Sequence, residues 1–210
     1  MKPRELIINS IEQTLVEPLS KLGFTFSKST LTFKRKLKEF VQTISFQLNR
    51  HNEEDTCAEF WTSYSVSSKE YSRWHKAEFG TGDTNDHLST EMDWNIKGMT
   101  FPVIDDKQEL HFQIIAASHR EKVLGILKEN VINIGIPYLD RLSDWENAAH
   151  DLVDKDWFHD KAADFFLIAS NKEKARWALQ QGLDYWDRHP KASFPESKDE
   201  LHKRIVKYFS

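Results

Sequence analysis

The spacing of hydrophobic residues changes once along the chain, and this change most constrains the fold. Between residues 30 and 66, apolar and polar side chains alternate in three runs, TLTFKRKL, EFVQTISFQLN and CAEFWTSYSV. A period of two predicts strands with one face on a core. From about residue 119 onward, apolar residues recur at helical spacing. A run of strands followed by a run of helices predicts an α+β fold.

The remaining elements complete this prediction. We expect an N-terminal helix over residues 4–22, kinked or divided at Pro18, and an antiparallel sheet of about five strands, the last two in EMDWNI (91–96) and ELHFQIIA (109–116). The segment KEYSRWHKAEF could form a short helix. Further helices are expected near 119–133, 144–154, 160–169, 172–187 and 198–209, packed on the sheet. We predict a single α+β domain over 1–210, with the sheet in 1–118 and a helical part in 119–210.

Charge and cysteine content limit the partners. The net charge of −4 and a pI near 6.1 argue against a protein that mainly coats nucleic acid. The lone Cys57 cannot form an intramolecular disulfide and favours a cytoplasmic location. No stretch approaches the ~18 apolar residues of a membrane span, so no membrane partner is expected.

The stretch HDLVDKDWFHD (150–160) concentrates possible metal ligands. His150 and Asp154 lie four residues apart on one predicted helix face, and His159 follows in the next segment. One interpretation is a metal or acid–base site. The other, which we favour, is a solvated helix junction in which Asp156 or Asp160 caps the next helix and the pair Trp157–Phe158 anchors the junction in the core. We therefore expect neither a metal nor a cofactor.

Three groups of residues are candidates for binding a partner. The basic run FKRKLK contains Lys34, Arg35, Lys36 and Lys38, and alternation places Arg35 on the apolar side of its strand, where it needs a carboxylate or a place at the end of the sheet. An acidic cluster, Glu53, Glu54 and Asp55, forms a predicted turn. Among the aromatic residues, Trp61 and Trp94 are candidates for an exposed recognition surface.

Several short motifs resemble those of a known family. They are LGF (22–24), Phe33 with Arg35, Phe46 with Gln47, and IPYLDRL (136–142). Over residues 5–145 the chain resembles a bacterial domain-of-unknown-function family, the 4304 type. The resemblance implies an α+β cytoplasmic domain without an assigned catalytic residue, and it does not extend to the helices after residue 145.

Three functions remain open at the level of sequence. The leading prediction is a non-enzymatic protein-binding protein of bacterial type, by analogy with immunity proteins that neutralise a toxin. The second is a metal-dependent hydrolase built around His150, Asp154 and His159. The third is a nucleic-acid-binding domain that uses Lys34, Arg35, Lys36 and Lys38. No phosphate loop, dinucleotide fingerprint or nucleophile elbow is present, which favours a protein without enzymatic activity.

Overall fold

The computed structural model describes residues 2–52, 58–80, 85–104, 107–108, 111–114, 117–189 and 195–210. The chain forms two compact units, one of Met1–Ser67 with Thr90–Asp140 and one of Ser68–Ser89 with Arg141–Ser210. The prediction of a single domain over 1–210 stays a prediction. No helix within the described ranges is long and apolar enough to cross a membrane.

The first unit begins with helices and continues as a sheet. Helix α1 (Pro3–Ile11) passes through a π-helical turn (Glu12–Val16) into α2 (Glu17–Lys21). Pro18 stands in the first turn of α2, and the π-helical turn before it accommodates the ring and the missing N–H, so the backbone stays helical from Pro3 to Lys21 and is not divided at Pro18. The strands that follow are β1 (Thr25–Ser27), β2 (Thr32–Leu37), β3 (Phe40–Leu48) and β4 (Ala58–Ser67).

The sheet has the order β1-β2-β3-β4-β5, where β5 is His87–Met92, and β8 (Phe112–Ile114) also pairs with β4. The pairs β1–β2, β2–β3, β3–β4 and β4–β8 are antiparallel. Two short strands, β6 (Val103–Ile104) and β7 (Lys107–Gln108), form a separate hairpin. The fold class and the three strands predicted between residues 30 and 66 are therefore confirmed.

One face of the sheet is buried against helices of the same unit. Helix α1 contacts β4, and helix α4 (Ala117–Asn130) contacts β8. A second π-helical turn (Val131–Gly135) joins α4 to α5 (Ile136–Leu142), and Pro137 again stands just after it. The side chains that fill this core are Ile7, Ile11, Leu15, Leu19, Phe33, Ile44, Phe46, Phe60, Tyr64, Phe112 and Leu127.

The strand predicted over 91–96 is wrong beyond Met92, because Asp93–Asn95 form a 3-10 turn. The buried Asp93 carboxylate accepts hydrogen bonds of 2.8 Å from both the backbone N–H and the hydroxyl of Thr62. The Asp93 side chain thus accepts the hydrogen bond from the edge of β4 that the backbone of a continuing strand would have accepted. Of the strand predicted over 109–116, the part 112–114 forms β8, and residues 109–110 and 115–116 lie outside the described residues.

The second unit is helical. It contains α3 (Lys69–Phe79), α6 (Trp145–Asp154), α7 (His159–Ile168), α8 (Lys172–Arg188) and α9 (Pro195–Phe209), which confirms the helices predicted there. Helix α7 contacts α3, α6, α8 and α9. Within this unit the buried Arg204 of α9 donates two hydrogen bonds of 2.7 Å to Asp164 of α7, and the Tyr71 hydroxyl donates to the same carboxylate.

Candidate functional site

The residues considered for a metal site do not converge. The His150 ring packs against Phe166, with ring centroids 5.0 Å apart, whereas Asp154 is exposed and His159 is buried. Within the described ranges, no three His, Cys, Asp or Glu side chains form a group that could hold a metal ion. The stretch HDLVDKDWFHD must therefore be understood from its backbone and from its exposed side chains.

Helix α6 ends in a Schellman motif that uses aspartate in place of glycine. The N–H of Trp157 donates to the carbonyl of Leu152 (3.0 Å), and the N–H of Asp156 donates to the carbonyl of Val153 (2.9 Å). This pair of bonds places Asp156 in the left-handed region, with φ +53°. Asp tolerates that conformation better than most residues other than glycine do. The chain therefore turns sharply without a glycine.

A second left-handed residue follows two positions later. Phe158 has φ +48° and ψ +50° and stands at the N-cap of α7, where an extended backbone and a polar side chain are usual. The N-cap position is held by Phe158, which makes no side-chain capping hydrogen bond with the described residues, so the predicted capping by Asp156 or Asp160 is wrong. A bulky aromatic residue held in this region costs about 1–3 kcal/mol. The packing of α6 and α7 must compensate for that strain.

The connection exposes two aromatic side chains. Trp157 and Phe158 are 61% and 62% exposed, and their rings meet edge to face with centroids 6.2 Å apart. The prediction that they anchor the junction in the core is wrong. A fully covered aromatic side chain buries roughly 150–250 Å², so the exposed parts of this pair amount to roughly 250 Å². We call Trp157 and Phe158 the aromatic knuckle.

Two exposed acidic side chains directly precede the aromatic knuckle in the chain. Asp154 and Asp156 are both exposed. The neighbouring Lys155 directs its ammonium to the buried Asp151, with Nζ 2.8 Å from Oδ2, so its charge is already matched by a carboxylate. Arg141 donates to the other oxygen of Asp151. The five charges of this rim, Asp151, Asp154 and Asp156 against Lys155 and Arg141, therefore sum to −1.

The residues that follow the knuckle at the start of α7 are closely packed against α8. His159 follows it directly and is buried, with its ring centroid 6.0 Å from that of Tyr185. A Cβ added at Gly182 of α8 would lie 2.8 Å from the His159 Cβ, so only glycine permits this approach of the two helices. Burial lowers the pKa of His159, which keeps the imidazole neutral at pH 7. Among the described residues, its Nε2 has no hydrogen-bond partner.

The partner-binding candidates of the first unit divide between the two faces of the sheet. Lys34 and Lys36 are exposed, and Trp61 lies on the same side of the sheet as these lysines. Trp94 packs against Trp61, with ring centroids 6.4 Å apart. Arg35 lies on the opposite, buried side. The acidic candidates Glu53, Glu54 and Asp55 lie outside the described residues.

Arg35 has the carboxylate partner that its position in the strand requires. Its guanidinium donates to Asp140 of α5 and, through Nε at 2.8 Å, to the buried Gln42. It also donates to the carbonyl of Leu22 and lies 4.5 Å from the Phe24 ring centroid. Asp140 thus links α5 to β2 and β3. This cluster organises the first unit and leaves Arg35 little freedom to contact a partner.

The cluster is made from the short motifs LGF, Phe33 with Arg35, and IPYLDRL, which the structure brings together in one place. The domain of unknown function DUF4304 matches residues 15–141 of the chain. The chain belongs to the DUF4304 family. No curated protein and no solved structure shows significant similarity to it.

The DUF4304 match ends before the aromatic knuckle. Sequence patterns missed the knuckle because Trp and Phe next to each other are usually taken for core residues. One signal could have revealed it. The sequence DKDWFHD surrounds the aromatic pair with charges, and no apolar neighbour is present within the connection to bury the pair. Backbone strain at Asp156 and Phe158 has no sequence signature, because neither residue is glycine.

Proposed function

We propose that this DUF4304 protein is a non-enzymatic protein-binding protein of bacterial type, and that its partner docks on the aromatic knuckle. The observation that carries the proposal is the pair Trp157 and Phe158, which a strained connection holds side by side in solvent. Strained residues cluster at functional sites, where the fold holds them in place. Exposed aromatic side chains on a rigid support are the typical anchors of protein interfaces.

The size of the knuckle fits the centre of an interface. Covering roughly 250 Å² of apolar surface contributes roughly 6 kcal/mol before the costs of association are subtracted. A partner would supply an apolar pocket for the two rings. Surrounding contacts would complete the ~800 Å² per partner of a standard interface.

The charges on the rim specify the chemistry of the partner. Exposed Asp154 and Asp156 directly precede the knuckle in the chain, so a basic surface beside an apolar pocket complements it. Secreted nuclease-like toxins present such basic surfaces, because they bind phosphates. We therefore propose an immunity function, in which the protein covers a basic toxin in the cytoplasm and blocks its active site. The alternative of a metal-dependent hydrolase has no comparable observation in its favour, since His150, Asp154 and His159 are separated.

The experiment is affinity capture from nuclease-treated lysate of the host, followed by an assay of the captured partner. The wild-type chain is compared with Trp157→Ser/Phe158→Ser and with Val206→Ser, which changes an equally exposed apolar residue of the same unit. We expect a stoichiometric partner with a basic surface, held by the wild type and by Val206→Ser and lost by the double variant. Its toxic activity should fall when the wild-type chain is added. Retention of the partner by the double variant would contradict the proposal.

A further inference from the structure

The outer face of the sheet in the first unit carries regular rows of hydroxyl and lysine side chains, with one valine among them. It is the side opposite to Phe33, Ile44 and Tyr64, which are paired across the strands and fully buried. Three cross-strand rows build this outer face, namely Thr32–Ser45–Ser63, Lys34–Thr43–Ser65 and Lys36–Val41–Ser67. We call these nine residues the outer grid.

The cations and several hydroxyls of the outer grid are available to a ligand. Lys34 and Lys36 are exposed, and neither forms an ion pair with another described residue. The hydroxyls of Thr43, Ser45 and Ser65 make no hydrogen bond within the described part of the chain, and each of these residues is partly exposed. Lysines two residues apart on one strand are separated by about 7 Å along it. The grid therefore offers two cations with hydroxyl donors beside them.

An aromatic pair lies next to the outer grid. The Trp61 indole N–H donates to Gln47 (2.9 Å), which fixes the orientation of that ring. Trp94 packs against it and remains 43% exposed, so one ring is held and its neighbour offers a face to solvent. From the register of β2, β3 and β4, two strand spacings and four residues along β4 separate Lys34 from Trp61, which is about 16 Å.

We infer that the outer grid together with Trp61 and Trp94 binds a short stretch of single-stranded nucleic acid. Such ligands carry phosphates at regular intervals and bases with flat faces, so they need cations, hydroxyl donors and an aromatic ring along one path. An acidic peptide would use the lysines but would gain little from stacking on an indole. The net charge of −4 opposes long polyanions, so the interaction is local and weak. This inference does not depend on the aromatic knuckle.

The test measures anisotropy of fluorescein-labelled 12-nucleotide oligothymidylate and oligouridylate between 50 and 200 mM salt. Two lysines predict a salt slope of about −1.4, which is about a 7-fold loss of affinity over that range. Trp94→Ala should weaken binding about 5-fold or more through lost stacking. Lys34→Ala/Lys36→Ala should weaken binding and flatten the salt dependence.

Matched controls separate this site from general charge and from the knuckle. Lys122→Ala removes an exposed lysine from α4 of the same unit, and Trp157→Ala removes an exposed indole from the other unit. Neither should change oligonucleotide affinity, and urea unfolding checks that every variant is folded. The inference is overturned if neither oligonucleotide binds at 50 mM salt. It is also overturned if Trp94→Ala binds as the wild type does, or if poly-glutamate binds as well as the oligonucleotides.

Discussion

Replacing Gly135 with alanine would place a methyl group against the ring of Tyr64. The added Cβ would collide with Cε1 and would lie 2.8 Å from Cζ of a side chain that is completely buried. Carbon atoms pack at about 3.5–4.0 Å, so the π-helical turn or the ring must move by more than about 1 Å. Overpacking of this kind destabilises by about 1–3 kcal/mol, and we expect the upper end because Tyr64 is held in the middle of β4.

The substitution Gly125→Ala is a control that should change the free energy of unfolding in the opposite direction. It lies on the exposed side of α4, and a Cβ added there meets no atom within 4 Å. Alanine at an exposed helical position should stabilise by about 0.5–1 kcal/mol. The two Gly→Ala substitutions should therefore differ by about 4 kcal/mol in the free energy of unfolding, although both replace a glycine within one continuous helical segment.

The assay is urea unfolding followed by far-UV circular dichroism. With an m-value of about 2 kcal/mol/M, Gly135→Ala should lower the midpoint by about 1.5 M, and Gly125→Ala should raise it by about 0.3–0.5 M. A double-mutant cycle with Tyr64→Leu, which removes the contacted ring atoms, should recover at least about 1 kcal/mol of coupling. If Gly135→Ala behaves as Gly125→Ala does, or if the coupling is zero, Gly135 and Tyr64 are not closely packed against each other in the folded protein.

Two further predictions concern the second unit. Arg204→Ala leaves the fully buried Asp164 without its cation and should lower the free energy of unfolding by about 3–5 kcal/mol. The control Lys203→Ala, at an exposed neighbouring position, should change the free energy of unfolding by less than about 1 kcal/mol. Similar losses for both variants would contradict a buried ion pair. Because burial lowers the pKa of His159, the unfolded chain binds a proton at this residue more readily than the folded chain does. Stability should therefore fall as pH drops below about 6.5, and His159→Gln should reduce that fall between pH 7.5 and 5.5; an unchanged pH dependence would contradict the assignment.

Alternation in the strands predicted much of the first unit. The period of two in β2, β3 and β4 placed Lys34 outward and Arg35 inward, and the carboxylate that Arg35 required is present as Asp140. The alternation of EMDWNI was misleading, because the Asp93 side chain satisfies the edge of β4 and ends β5 at Met92. Periodicity reports which side chains share a face, but it does not report a side chain that replaces a backbone hydrogen bond.

The candidate site was harder to predict than the fold. Residues 150–160 stood out in the sequence for their ligand-type side chains, whereas the structure makes Trp157 and Phe158 the distinctive pair. Their exposure depends on two left-handed residues, Asp156 and Phe158, that set the direction in which the chain leaves α6 and enters α7. Local sequence did not identify that conformation, since a bulky residue such as Phe158 rarely adopts it.

The affinity of the purified complex tests the central proposal most directly. The dissociation constant of the captured partner would be measured by calorimetry for the wild type, Trp157→Ala and Val206→Ala. A central aromatic anchor is worth about 2–4 kcal/mol in an alanine scan, so Trp157→Ala should weaken binding by about 30-fold or more. Val206→Ala should change it by less than about 3-fold. Equal affinities for wild type and Trp157→Ala would show that the partner binds elsewhere and would contradict docking on the aromatic knuckle.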